Sequence, residues 1–356
     1  MKAVQRSLAV LGTSAVFNTM TTLAQNLTFG ADNFYQSANV TLEPITFLNQ
    51  FQMTVAGNLF YPKNLSRSEN ASAIIVGHPM GAVKEQSANL YATKLAEQGF
   101  VTIALDVSFW GSSEGDPRNA VLPDVYAESF SAAVDYLGTL GFVDRERIGA
   151  LGICGSGSFA ISAAKIDTRI AAIATSAMYD MGAANRDGLR NAVSVEQRKE
   201  VVAIASQQRW VEADGGEIEL TGGTPLVITN ETDAVGREFY DFYRTSRGEF
   251  VPVGSVANRT TRPTLSSNVR FLNFYPFNDI ETISPRPMLF VSGDQAHSRE
   301  FSEDAYAKAG EPKELVWVPG AGHVDLYDRV DLIPFNRFIE FFQTNLDHRV
   351  VNSTVY

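Results

Sequence analysis

The chain is expected to fold as an α/β protein, with a mostly parallel central sheet and helices on both faces. Three observations point there. Short apolar runs alternate with helically spaced segments along most of the 356 residues. An apparent antiparallel strand pair opens this series, as is common at one edge of such a sheet. The alternation then breaks for about 100 residues, from Met181 to Ile283, and resumes. A structureless loop of that length is improbable inside a domain, so this stretch is read as a cap inserted over the active-site end of the sheet. The expected organisation is a core of residues 35–180 plus 284–348, with the cap at 181–283.

In chain order, Val40–Leu48 and Thr54–Tyr61 read as the strand pair, turning at Asn49-Gln-Phe-Gln. Ala73–Gly77 is a short apolar strand that runs into His78-Pro-Met-Gly81. Glu85–Gln98 has helical spacing through Leu90, Tyr91, Leu95 and Ala96, and Gly99 closes it. Val101–Leu105 is the next strand and Asp124–Leu140 an amphipathic helix. Arg147–Leu151 is a strand, Gly155–Lys165 a helix and Arg169–Thr175 a strand. Beyond the cap come strands at Pro287–Val291 and Leu315–Val318, with a helix at Arg299–Ala309 between them. A final helix at Leu332–Leu346 gathers Phe335, Phe338, Phe341 and Phe342 on one face. The cap is rich in aromatics, among them Trp210, Phe239, Tyr243, Phe271 and Phe274. Either these line an apolar acyl pocket or they pack the cap onto the core.

Composition narrows the function. The content is 45% hydrophobic and 19% charged, that of a globular protein. A net charge of −11 argues against a nucleic-acid partner. No apolar run is long enough to span a membrane. A single cysteine excludes an intrachain disulfide and a cysteine-based zinc site. The four histidines, at 78, 297, 323 and 348, show no ligand spacing, so no metal site is expected.

Residues 1–31 contain no Asp or Glu. Lys2 and Arg6 precede the apolar stretch 8–17, and Thr22-Leu23-Ala24 offers a small-residue cleavage site, so residues 1–24 read as a secretory signal peptide. A mitochondrial presequence and an unstructured cytosolic tail are the alternatives. Seven of the twenty asparagines (26, 39, 64, 70, 230, 258 and 352) sit in N-x-S/T, where composition predicts roughly two or three. Secretion as a glycoprotein is therefore the expectation, and a cytoplasmic location the alternative.

The lone cysteine carries the chemistry. Arg147-Ile-Gly-Ala-Leu-Gly-Ile-Cys154-Gly-Ser-Gly has the strand–sharp turn–helix grammar of a nucleophile elbow, with Cys154 in place of the serine of G-x-S-x-G. A thiol at a helix N-terminus meets positive partial charge, which should lower its pKa. The bland alternative is a buried structural cysteine. Further on, Ser-Gly-Asp294-Gln follows one strand and Pro-Gly-Ala-Gly-His323 the next, so both polar residues stand past strand C-termini, where sites of open α/β sheets collect. Cys154, Asp294 and His323 thus read as nucleophile, orienting acid and base in that chain order. Asp180 is the runner-up acid. Asp106 and His78 are expected to be structural, and His297 to take a supporting or helix-start role. The oxyanion donors should be the amide of Gly155 and one from the His78-Pro-Met-Gly turn. Pro79 has no N–H, so Met80 is chosen, with Gly81 in reserve. Trp110 is expected to wall the substrate cleft.

These residues resemble the α/β-hydrolase superfamily and its dienelactone-hydrolase-like branch, marked by Gly152-Ile-Cys154. Gly77-His-Pro-Met-Gly-Ala-Val-Lys-Glu-Gln86, Trp110-Gly-Ser-Ser-Glu-Gly115, Ser292-Gly-Asp-Gln295 and Pro319-Gly-Ala-Gly-His323 extend the likeness over roughly residues 40–346. The resemblance implies an α/β-hydrolase fold, a Cys154–His323–Asp294 triad and no cofactor. Ser156 departs from the second elbow glycine. The large insertion is closer to capped relatives, including fungal polyketide transferases and thiohydrolases. The activity expected is hydrolysis or transfer of an acyl group from a small-molecule ester, lactone or thioester. The rival expectation is a non-catalytic hydrolase-fold protein that binds a small molecule.

Overall fold

The computed structural model describes residues 30–68 and 70–347. The signal-peptide segment, Asn26, His348 and Asn352 lie outside these residues. Among the described residues eight strands make one sheet: β1 (Val40–Leu48), β2 (Thr54–Pro62), β3 (Ala71–Gly77), β4 (Val101–Leu105), β5 (Val143–Ile153), β6 (Ile170–Ser176), β7 (Met288–Gly293) and β8 (Lys313–Val318). Their spatial order is β1-β2-β4-β3-β5-β6-β7-β8. The β1–β2 and β2–β4 pairs are antiparallel and the rest parallel.

The inner strands β4, β6 and β7 are buried at every position, because helices cover both faces. β1 is an edge strand, largely solvated, and tolerates Pro44 there. Its hairpin turn is held by Asn49, whose Oδ1 accepts the amides of Phe51 at 2.9 Å and Met53 at 3.0 Å. The helices of the core are α1 (Ala88–Ala96), α2 (Pro123–Thr139) and α3 (Ser156–Ile166). Between β6 and β7 the chain forms α4 (Met181–Arg186), α5 (Val195–Ala213), α6 (Ala234–Tyr243) and α7 (Leu265–Asn268), joined by irregular backbone and 3-10 turns. After β7 come α8 (Arg299–Lys308), the one-turn α9 (Asp325–Asp328) and α10 (Phe335–Asp347). Phe338 and Phe342 of α10 are fully buried, against β5 and β6.

Topology positions the site. From β3 the chain crosses to β4 on one side, and from β4 it returns to β5 on the other. The loops after β3 and β5 therefore diverge, leaving a crevice at the strands' C-terminal ends. The insertion closes over that end through hydrogen bonds. Gln86 Nε2 donates to the Gly248 carbonyl at 2.7 Å. The Thr261 amide donates to Gly81 at 3.0 Å. Asn119 Nδ2 reaches the carbonyls of Arg259 and Arg262. Among the described residues no helix is long and apolar enough to cross a membrane.

Candidate active site

Cys154 stands between β5 and α3 with φ of 53°. That left-handed conformation is costly for a residue with a side chain, and the surrounding backbone imposes it. Gly152 makes the turn possible: a Cβ there would lie 2.2 Å from the Ser156 carbonyl oxygen. Ser156, in place of the second elbow glycine, donates its hydroxyl to the His78 carbonyl and ties the elbow to the loop after β3. It fits because residue 77 opposite is glycine, where a Cβ would come within 2.7 Å of it.

The amides of Met80 and Gly155 both donate to the Cys154 sulfur, and the Tyr327 hydroxyl is also hydrogen-bonded to Cys154. The thiol is 5% exposed. Here the structure corrects a sequence expectation. Burial pushes the thiol up to about 11, despite those hydrogen bonds and the helix terminus. Removing an incipient thiolate from water costs more than those hydrogen bonds return. Alkylation by iodoacetamide should accordingly be slow at pH 7, where roughly one thiol in 10⁴ is ionised, and climb about tenfold per pH unit towards pH 11. A rate already level near neutrality would instead indicate a preformed thiolate.

His323 is fully buried in the loop after β8. Its Nε2 lies 2.9 Å from the Tyr327 hydroxyl and its Nδ1 2.6 Å from Ser298 Oγ. Burial, with the neighbouring His297 imidazole adding to it, holds His323 well below its usual pKa, so it is a neutral base at pH 7. The structure does not bring Asp294 to it. Asp294 Oδ1 accepts the Gly320 amide at 2.8 Å and Gln295 Nε2 at 3.1 Å. The triad-acid expectation for Asp294 is corrected accordingly: its carboxylate shapes the loop that carries His323, while four residues on Ser298 meets the imidazole.

A carboxylate on the His323 loop is Glu238, from α6 of the insertion. It accepts from the Val324 amide at 2.8 Å, from the His323 amide, and from His297 Nδ1 at 2.8 Å. Burial works to raise Glu238, but these hydrogen bonds outweigh it and hold the carboxyl below its usual range. The His297 and His323 rings are 4.7 Å apart. Tyr179 meets His323 edge-on at 5.0 Å, and Phe239 does so at 5.6 Å. Ser298, Tyr327 and Glu238 went unread in the sequence. The spacing of Tyr327 four residues after His323 was the one available signal, since a helical turn there puts both on one face.

Asp180 caps α4, accepting the Ala183 amide at 2.8 Å, and burial raises its pKa. Asp106 accepts from the Lys84 amide (2.7 Å), Lys84 Nζ (2.9 Å) and the Ser112 amide (2.8 Å). His78 accepts the Val107 amide at Nε2 and so presents Nδ1–H to the Pro79 carbonyl, 2.8 Å away. Trp110 is 2% exposed, and its indole N–H donates to the Tyr126 hydroxyl at 2.9 Å. It lines a cavity of about 270 Å³ between core and insertion, with Gly81, Asn119, Pro252 and Val253 among the other walls. Cys154 is not among them. The Met80–Gly81 turn separates the two: one residue's amide faces the sulfur and the next residue faces the cavity. Among the described residues no group of three His, Cys, Asp or Glu is placed to hold a metal.

Residues 85–333 match the alpha/beta hydrolase family. The chain is 44% identical over 320 residues to the uncharacterized protein PA2218 of Pseudomonas aeruginosa, covering 88% of this chain and 83% of that protein. The crystal structure of PA2218 superposes with a TM-score of 0.83, covering 90% of this chain and 99% of the other. The thiohydrolase aneE of Aspergillus aculeatus is 24% identical, over 80% of this chain and 86% of its own length. The polyketide transferase grgF of a Penicillium species is also 24% identical, over 83% of this chain and 93% of its own. Its crystal structure superposes with a TM-score of 0.69, over 86% of this chain and all of that one.

Proposed function

Because the chain belongs to the alpha/beta hydrolase family, an enzyme class, we propose that it is a cysteine-nucleophile acyl hydrolase or acyltransferase that cleaves an ester, lactone or thioester through an acyl-cysteine. The observation that carries this reading is the left-handed Cys154 with two backbone amides on its sulfur and a neutral imidazole one hydroxyl away. Relatives named as a thiohydrolase and a polyketide transferase support acyl chemistry over other uses of the fold.

In this reading His323 takes the thiol proton and the sulfur attacks the acyl carbonyl carbon. The developing oxyanion forms on the oxygen of that carbon, two bonds from the sulfur, where the Met80 and Gly155 amides that donate to the sulfur can turn to it. The imidazolium then protonates the leaving alcohol or thiol. Water or an acceptor alcohol, activated by the same His323, resolves the acyl-cysteine. Ser298 orients the ring at Nδ1, a neutral partner where a carboxylate is commoner. Glu238 supplies negative charge at the backbone of the same loop. A secretory location is part of the proposal. The five acceptor asparagines that lie in the described residues, at 39, 64, 70, 230 and 258, are all exposed.

The test is a burst assay with p-nitrophenyl esters and acyl thioesters, read by intact-mass spectrometry on the wild type and Cys154→Ser. An acyl adduct on the wild-type cysteine is the expected result. Ligand binding without adduct or turnover across a chain-length series would favour a binding protein instead. Glycan mass released by a peptide N-glycosidase, on protein from a eukaryotic secretory host, checks the location.

A further inference from the structure

Tyr327 sits in the single turn of α9, four residues after His323, and is fully buried. Its ring is held on several sides: edge-on by Phe242 at 5.2 Å, by Tyr243 at 6.2 Å and by His323 at 5.3 Å. The turn itself is anchored from both flanks. Leu326 gives its carbonyl to the Tyr91 hydroxyl at 2.6 Å, and Asp328 pairs with Arg247 at 2.6 Å. A hydroxyl so placed has little freedom to point elsewhere. It touches the two groups that must exchange a proton, the Cys154 sulfur and His323 Nε2.

We propose that Tyr327 is a catalytic residue that relays the proton from the Cys154 thiol to His323. The proposal rests on the acyl-cysteine reading above. The imidazole tautomer that gives Nδ1–H to Ser298 Oγ leaves the Nε2 lone pair to accept the Tyr327 O–H. The Tyr327 oxygen in turn accepts the S–H of Cys154. In one concerted step the S–H bond breaks and a new O–H bond forms on Tyr327. The original O–H bond breaks and an N–H bond forms at Nε2. The products are a thiolate and an imidazolium, and the tyrosine ends as neutral as it began. Its burial beside Cys154 disfavours the phenolate strongly, so the two transfers are bound together rather than sequential. On the return path the imidazolium proton reaches the leaving group through the same oxygen.

The alternative is that Tyr327 is a plug which swings away so that His323 meets the thiol directly. Tyr327→Phe separates the two. Deleting the hydroxyl while keeping the ring is expected to lower the acylation burst rate roughly 10²- to 10³-fold at pH 7, with KM and thermal midpoint little changed. A burst rate equal to or above wild type would overturn the relay. If the variant fails to fold, the wild type still decides. Acylation rates in mixtures of light and heavy water should bow downward for two protons in flight, and a straight line would overturn the proposal. The absence of any wild-type burst would sink the acyl-cysteine reading, whereas a wild-type burst that Tyr327→Phe leaves intact sinks the relay alone.

Discussion

His323→Ala is expected to slow acylation at pH 7 by about 10³- to 10⁴-fold, at the upper end of what a positioned base contributes. The reason lies in the protonation states. The thiol is held up to about 11 and is almost wholly protonated at neutral pH. The imidazole is neutral, because burial and His297 keep it well below its ordinary value. Attack therefore requires proton transfer, and no preformed ion pair shortens the path. The residual rate of His323→Ala should rise with pH towards the thiol's own ionisation, and circular dichroism should show an intact fold. Asp294→Asn should stay within about tenfold of wild type. Its carboxylate accepts the Gly320 amide rather than the imidazole, and an asparagine oxygen can do the same. A loss for Asp294→Asn as large as that for His323→Ala would mean that the loop rearranges to place Asp294 on the histidine during turnover.

Arg247→Ala should be the most destabilising single truncation at the seam between insertion and core. Arg247 follows α6 and reaches Asp328 through Nε at 3.1 Å and Nη2 at 2.6 Å, while a third nitrogen bonds Asp241. The Asp328 side chain is fully buried and that of Arg247 is 12% exposed. Burial raises the Asp328 pKa even with the guanidinium beside it. Removing the guanidinium leaves a carboxylate with neither water nor a full counter-charge, a loss of about 3 kcal/mol, or roughly 5 °C in thermal midpoint for a chain of this size. Adding Asp328→Asn should recover part of that, because the second change removes the stranded charge. A midpoint for Arg247→Ala within 1 °C of wild type (about the spread of a surface substitution) would show that the pair is solvated in solution. Asp328 neighbours Tyr327, and α6 carries Glu238, so Arg247→Ala should also blunt the burst.

Much of the architecture was legible without coordinates, since it rests on local rules. Alternating apolar runs and helical spacings located all eight strands of the sheet, with most ends within a residue or two. β5 proved longer at its start, where Val143 to Glu146 are too polar to read as a strand. The elbow was readable because a left-handed residue between a strand and a helix needs small neighbours, and Gly152 and Gly155 announce it. The approach of the Met80 and Gly155 amides to Cys154 follows from the same topology.

What the sequence by itself determined is thus the α/β sheet, the turn that presents Cys154, and the strand end that delivers His323. Only the tertiary structure decided what those two residues meet. Asp294 and Ser298 both follow β7 within a few residues, and the path of one loop gives the imidazole to Ser298. Glu238 arrives from 85 residues before His323, carried by an insertion whose packing no local pattern specifies. The direction of the thiol's pKa was decided the same way. A helix end is a local feature and lowers it. Burial is a property of the whole fold, and it pushes the thiol up.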